Sequence, residues 1–313
     1  MKCVSLYSGA DNLGDGVIQA GHEIILCVEK DKDCCETIKL NHPEIEVING
    51  LVSDHLSTLP KADCVIGGPP CPEFSRAKSN RTFDLCEVNN FRKAVEICKA
   101  KHHFMENVQD LYQVHKQRNF LINCADYGVP QTRIRRIFTD LELPKPTHSE
   151  FPSDRLIGEP LKKWVSVKDA LGLEYEILDK TQQCWKQKIP LMDSNNPSNT
   201  ILCDNSDNGL WFISPTGFSE KNKKEISRSV DEPSQTIVNG NEYQFTDNHV
   251  MSTKYHQFKN EYKMIRKLTN EELAILQGFR PDFKFYGGKT SVRKQIGNAL
   301  PAPVSRAFFE GIR

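Results

Sequence analysis

A doubly wound, mostly parallel α/β sheet is the expectation for this chain, and three observations carry it. Short apolar runs of strand length recur at 3–8, 23–28, 45–48 and 63–66. Each ends in glycine or in a carboxylate, and helical spacing (Leu13, Val17, Ile18) follows the first. The fourth run stops abruptly in Gly67-Gly68-Pro69-Pro70. Apolar runs alternating with helices read as repeated βα units, whose strands are buried on both faces. In such open sheets ligands bind beyond the carboxyl ends of the strands.

Bulk properties narrow the classes. The chain has 313 residues, enough for one large domain or two modest ones, with 38% apolar and 26% charged residues. No apolar run approaches membrane-spanning length. Met1–Leu6 runs straight into a strand pattern without the layout of a secretory signal, so a cytoplasmic location (nucleoid or nuclear in a eukaryotic host) is expected. Eleven cysteines are scattered without framework spacing and without a CxxC pair, so they read as reduced thiols, with no metal site. The formal charge is zero, from 41 basic and 41 acidic residues. That argues against bulk polyelectrolyte binding but leaves room for a local basic surface on nucleic acid.

In order along the chain, the first strand (Cys3–Ser8) passes into a turn punctuated by Gly9, Gly14 and Gly16. Such a turn lets backbone approach a ligand and aims helix N–H groups at it. The second strand ends in Glu29, which suits a ribose diol or is an ordinary surface glutamate. A third strand is followed by Gly50. The fourth delivers Cys71 on a proline-stiffened loop, either as a nucleophile at a site mouth or as a structural thiol. The loop carries Arg76, Lys78 and Arg81, and a helix is expected from about Cys86 to Lys99. A further strand, His102–Met105, ends in Glu106-Asn107-Val108, a second carboxylate at a strand end.

Gln131, Arg133 and Arg135 alternate, so one strand would put three long donors on one face, suited to phosphate or a base edge; a solvated basic strand has the same pattern. Composition shifts near 141, where residues 141–160 read as a proline-rich linker. The polar stretch beyond it contains an imperfect echo, Asp193–Ile201 against Asp231–Ile237, read as two turn-to-strand entries. Basic residues cluster at Lys221–Arg228 and, interleaved with aromatics, at Lys254–Lys267, composition that fits either a nucleic-acid face or a solvated surface. Thr269-Asn270-Glu271-Glu272 is a capping box opening a helix that stops near Gly278. Gln295–Ala299 precedes a last amphipathic helix.

Taken in order, these motifs resemble the C5-cytosine-specific DNA methyltransferases. Pro-Pro-Cys-x-x-Phe-Ser at 69–75, Glu-Asn-Val at 106–108 and Gln-x-Arg-x-Arg at 131–135 carry the resemblance, completed by Arg266–Thr269, Leu276–Phe279 and Gln295–Ala299. It spans 3–138 and 264–310. The resemblance implies a Rossmann-like class I S-adenosylmethionine-dependent methyltransferase with a smaller target-recognition domain. Residues 1–145, completed by 280–313, would be the catalytic domain and 146–279 the recognition domain. The implied activity is methyl transfer from S-adenosyl-L-methionine to C5 of a flipped-out cytosine in double-stranded DNA, leaving S-adenosyl-L-homocysteine, by a monomer without metal.

Cys71 would add to cytosine C6, making the ring an enamine that attacks the sulfonium methyl. Glu106 would hold ring N3, Asn107 the loop, and Arg133 and Arg135 the ring carbonyl, nucleophile and a phosphate. Tyr7, Ser8 and Gly9 match the first cofactor motif, Glu29 the ribose acceptor and Asn298 the last motif; Leu13, Lys30, Asp54, Pro70 and Ala299 complete the implied cofactor-binding positions. Asp11-Asn12 stand where the family has paired glycines, a change expected to alter the approach to the methionine end of the cofactor. Leu51 follows Gly50 where it has an acidic residue for the adenine amino group. Only 22 residues separate Val108 from Gln131, so one helix or strand there is expected to be trimmed. The alternatives are a tRNA cytosine-C5 methyltransferase, against which the missing Cys-Phe-Thr signature speaks, and a catalytically silent DNA-binding relative.

Overall fold

The computed structural model describes residues 1–70, 85–109, 111, 115, 117–152, 160–172, 176–179, 191–192, 196–199, 210–215, 245–246, 249–250 and 262–312. Strands β1 (Lys2–Leu6), β2 (Glu23–Glu29), β3 (Glu46–Asn49), β4 (Cys64–Gly67) and β5 (His102–Asn107) alternate with helices α1 (Asn12–Gln19), α2 (Lys32–Asn41), α3 (Val52–His55) and α4 (Cys86–Ile97). They are followed by β6 (Asn119–Asn123), β7 (Gln131–Thr132) and β8 (Ile134–Thr139). The central sheet has seven strands in the order β3-β2-β1-β4-β5-β8-β6. Pairing is parallel from β3 through β5, and β8 is antiparallel to both β5 and β6. The chain winds outward through β1, β2 and β3, then restarts on the other side with β4. The reversal point, between β1 and β4, is where a crevice opens in such sheets.

The expected α/β sheet is thus present. Residues 108–118 alone join β5 to β6, and this short connection still leads into a strand. The expected continuous strand through Gln131, Arg133 and Arg135 is corrected: it breaks at Arg133 into β7 and β8.

Both faces of the sheet are covered, and the strand residues alternate between them. Cys3, Cys64, Ile66 and Phe104 pack with Leu13 and Val17 of α1, Ile38 of α2, and Val304 and Phe308 near the C-terminus. Val4, Leu6, Val65 and Met105 pack with Val52 of α3 and Val88, Phe91 and Ala94 of α4. Gly67 closes β4 where that strand lies against β1: a Cβ there would overlap the carbonyl oxygen of Leu6. Backbone cannot yield as a flexible side chain does. Gly67→Ala is therefore expected to destabilise the fold by about 1–3 kcal/mol, read as a lower urea midpoint.

Beyond residue 141 a short parallel bridge joins β9 (His148–Ser149) to β10 (Lys162–Lys163). Helix α5 (Val167–Leu171) follows, opened by a Ser166/Asp169 capping box. The next strands are β11 (Glu176–Asp179), β12 (Leu191–Met192), β13 (Ser198–Asn199), β14 (Leu210–Pro215), β15 (Phe245–Thr246), β16 (His249–Val250) and β17 (Tyr262–Lys267). Four of them form an antiparallel sheet, β12-β11-β14-β17. β13 instead joins β7 in parallel, Ser198 opposite Gln131, so the first echo segment does enter a strand at Ser198. The second echo and the Lys221–Arg228 cluster lie outside the described residues, as do Arg76, Lys78, Arg81, Lys254 and Lys259.

The chain ends in α6 (Asn270–Leu276), α7 (Lys289–Asn298) and α8 (Ala302–Phe309). The expected Thr269/Glu272 box caps α6, and Gln295–Asn298 forms the last turn of α7. Leu273, Leu276, Phe279 and Ile296 make a third core with Ala10 and Val167. The C-terminal segment thereby returns to the turn after β1.

Candidate active site

Strand register aligns the site. Leu6 pairs with Val28 and with Gly67, and Gly67 pairs with Met105. The next residue on each strand falls on one line across the carboxyl end of the sheet: Glu29, Tyr7, Gly68, Glu106. Neighbouring strands are about 4.8 Å apart. Two carboxylates thus stand three strand spacings from each other, with the reversal point between them.

On the β1–β2 side, the backbone turns sharply. Tyr7, Gly9 and Asp11 all have left-handed φ, 53°, 56° and 56°. At Gly9 a Cβ position meets open space, so the backbone is approachable from outside. The Glu29 carboxylate, 9% exposed, accepts from the Gly9 amide at 2.9 Å and from the Asp31 amide at 2.8 Å. Two short bonds orient it and leave acceptor lone pairs for a ligand. Ser8 Oγ donates back to the Ser5 carbonyl and braces the turn.

Asp11 and Asn12, the departures from paired glycines, both turn inward and are 1% exposed. Ser5 Oγ donates to Asp11 Oδ1 at 2.6 Å, and Cys27 Sγ–H to Oδ2 at 3.4 Å. Asn12 Nδ2 donates to the Leu300 carbonyl at 3.1 Å. These side chains turn into the protein and brace the turn from beneath. Burial pushes the Asp11 carboxyl up to about 6, against the lowering effect of the Ser5 and Cys27 bonds.

On the β4–β5 side, Glu106 Oε1 pairs with Arg135 Nε at 2.8 Å, the two side chains only 14% and 15% exposed. Gly68 lies directly beside this carboxylate, its Cβ position 3.1 Å from Glu106 Oε2. Asn107 Nδ2 donates to the Pro69 carbonyl at 3.0 Å, and its Oδ1 accepts from the Val108 amide. The Pro-Pro loop is therefore pinned to β5 just before Cys71, which itself lies outside the described residues.

Arg133 and Gln131 sit deeper than Arg135, at 1% and 0% exposure. Arg133 Nη2 donates to the Gly297 carbonyl at 2.8 Å. Gln131 Nε2 donates to Gln277 Oε1 at 2.7 Å, and Gln277 Nε2 to the Ala299 carbonyl at 2.6 Å. Gln131 and Arg133 thus bind the C-terminal segment, and the expected row of three donors on one face is not formed.

Of the other expected positions, Pro70 and Asn298 are exposed, and Ala299 is half-buried beside Gln277. Lys30 is exposed at the end of β2, and its carbonyl accepts from Asn49. Asp54 is exposed on α3, where it accepts from Ser53. Leu13 does not join them: it is 7% exposed and packs in the core. Sequence reading missed Gln277 as the bridge between Gln131 and the C-terminal segment, and Glu87 as the partner of Tyr7. Neither has a local signal, since each pair is remote in sequence. Among the described residues no cluster of His, Cys, Asp or Glu has the geometry to hold a metal ion, and no helix is long and apolar enough to cross a membrane.

Comparison with known proteins identifies the family of the chain. The C-5 cytosine-specific DNA methylase family matches residues 1–122 and 112–313. The Fusobacterium nucleatum type II methyltransferase M.FnuDI is 30% identical, over 100% of this chain and 94% of the relative. M1.HphI of Haemophilus parahaemolyticus is 28% identical, over 99% and 86%. Among solved structures, a triple variant of Spodoptera frugiperda DNMT2 shares the fold at TM-score 0.58 and 14% identity, with 97% of each chain covered. The chain belongs to the C-5 cytosine-specific DNA methylase family and is a DNA (cytosine-5-)-methyltransferase.

Proposed function

We propose that this enzyme transfers a methyl group from S-adenosylmethionine to C5 of a flipped-out cytosine in one short duplex sequence, through a Cys71 adduct at C6. The observation that carries this reading is the Glu106–Arg135 pair, held beside Gly68 at the end of the strand that leads into Pro-Pro-Cys. Glu106 would hold ring N3 while the Cys71 thiolate adds, and Arg135 keeps that carboxylate in place. Arg133 would steady the site from behind through Gly297. Target atoms buried in a base stack are out of reach of any side chain, so the base must leave the helix.

The residues at the β1–β2 end fit the cofactor. An open Gly9 backbone and an oriented, mostly buried Glu29 carboxylate suit a nucleoside whose diol needs an acceptor. Tyr7, Ser8, Gly9, Glu29, Lys30, Asp54, Pro70, Asn298 and Ala299 would line its site, with Leu13 supporting the turn from the core. The bound cofactor supplies an electrophilic methyl on a sulfonium sulfur. Residues 146–279, with their antiparallel sheet, would read the target sequence. The named type II relatives support a role in restriction-modification, and a monomer in the cytoplasm or nucleoid is the working assembly.

Bisulfite sequencing of plasmid DNA from methylation-deficient bacteria expressing the chain tests this. Protected cytosines confined to one recurrent short context, and absent from cells with empty vector, are the expected result. Soluble protein with no protected cytosine would overturn it.

A further inference from the structure

We propose that Glu87 accepts a hydrogen bond from the 6-amino group of the cofactor's adenine and so makes the site selective for an adenosyl ligand. This rests on the cofactor reading above. The starting point is Tyr7, which stands beside Glu29 in the row of strand ends. It is a non-glycine residue in the left-handed region, φ 53°, a conformation that persists only where the surroundings enforce it and that gathers at functional sites. Its hydroxyl donates to Glu87 Oε2 at 2.7 Å and lies 3.2 Å from the Glu87 carbonyl. Glu87 occupies the first turn of α4.

The carboxylate is oriented and only half used. Asn90, 7% exposed, also donates to Oε2 at 3.3 Å. Oε1 has no hydrogen-bond partner among the described residues. Burial and the neighbouring Glu87 both push the Tyr7 phenol up, so it stays protonated and keeps donating. One oxygen is thereby tied down and the other is presented for a donor.

The Tyr7 ring beside it suits a flat, mostly apolar ligand ring. α3 packs against α4, and Leu51, the residue that opens α3, is 49% exposed. Leu51 and the Tyr7 ring offer apolar surface, and neither side chain carries a charged acceptor for an amino group. Asp54, farther along α3, is exposed and engaged by Ser53. Adenine is an apolar ring with an exocyclic amine that must find an acceptor when bound. Glu87 is a half-buried acidic side chain at this end of the sheet with an oxygen to spare.

The test is calorimetric binding of S-adenosylhomocysteine and of S-inosylhomocysteine, which carries a 6-oxo acceptor in place of the amino donor. Wild type is expected to prefer the adenosyl compound by about tenfold or more, the loss expected when a charged acceptor faces another acceptor. Glu87→Ala should bring the two within about threefold. Glu87→Gln, whose amide can turn its NH2 to the 6-oxo group, should reverse the preference; a misfolded variant would bind neither compound. Tyr7→Phe should weaken adenosyl binding and shrink the preference without reversing it. A Glu87→Ala protein that binds the adenosyl compound with the wild-type preference overturns the role of Glu87 alone. A wild type that binds neither compound overturns the cofactor reading, and this proposal with it.

Discussion

Cys71→Ser is expected to leave no measurable methyl transfer, and Glu106→Gln to slow transfer by about 10²–10⁴-fold, with both proteins folding as wild type. A serine hydroxyl is a far weaker nucleophile than a thiolate at neutral pH, so addition to C6 loses its driving group. Glu106→Gln keeps the shape but removes the charge that pairs with Arg135 at 2.8 Å and the acceptor that a ring N3–H needs. The amide would offer its oxygen to Arg135 and its NH2 to N3, or the reverse, and neither orientation reproduces both contacts. Transfer of labelled methyl from S-adenosylmethionine to duplex DNA measures both variants, and urea melts confirm that they fold. Full activity in Cys71→Ser would rule out the covalent route. Full activity in Glu106→Gln with a silent Cys71→Ser would keep the nucleophile and remove Glu106 from its role.

The parts of this molecule legible in the sequence are those set by short-range pattern. Strands β1, β2 and β4 lie between two layers of helices, so their residues are apolar on both faces and read as unbroken runs. Glu29 and Glu106 were visible as acidic residues closing such runs, and strand register puts them on one line. Alternation misled at Gln131–Arg135. The spacing there is that of one strand, yet Arg133 turns into the interior to meet the Gly297 carbonyl, 164 residues away, and the ladder breaks. No local rule predicts a partner at that distance. The pairing of Tyr7 with Glu87 was hidden for the same reason. Asp11 misled differently: as a replacement for glycine it suggested a changed ligand surface, and only its contacts with Ser5 and Cys27 reveal that it points into the protein.

Asp11→Asn is expected to stabilise the enzyme at pH 7.5 by up to about 3 kcal/mol and to change its stability little near pH 4. The buried carboxyl is pushed up to about 6 from an ordinary 3.8, and a shift of about two units is worth roughly 3 kcal/mol. A carboxyl raised in the folded state favours the protonated fold. Its contribution is complete below about pH 4, the unfolded value, and is lost as pH rises through about 6. Asparagine stays neutral throughout and retains an oxygen for the Ser5 hydroxyl. The Cys27 thiol, held well above its usual range by burial and then by Asp11, remains an S–H facing the amide. Two neighbouring groups are coupled to it by charge. For His42, burial lowers its pKa but the Asp15 bond outweighs this, so its contribution fades above pH 6.5. For Asp15, burial raises its pKa but His42, Gln19 and Arg280 outweigh this, so its contribution is lost only as pH falls below 3.8. Melts of wild type and Asp11→Asn between pH 4 and 8 therefore report Asp11, together with its coupling to His42, as the difference that opens as pH rises from 4 through about 6. A variant equally destabilised at every pH would mean that the ionised carboxylate is what Ser5 and Cys27 hold. The expected stabilisation would mean that the wild-type residue gives up stability to keep a buried acid in the turn after β1.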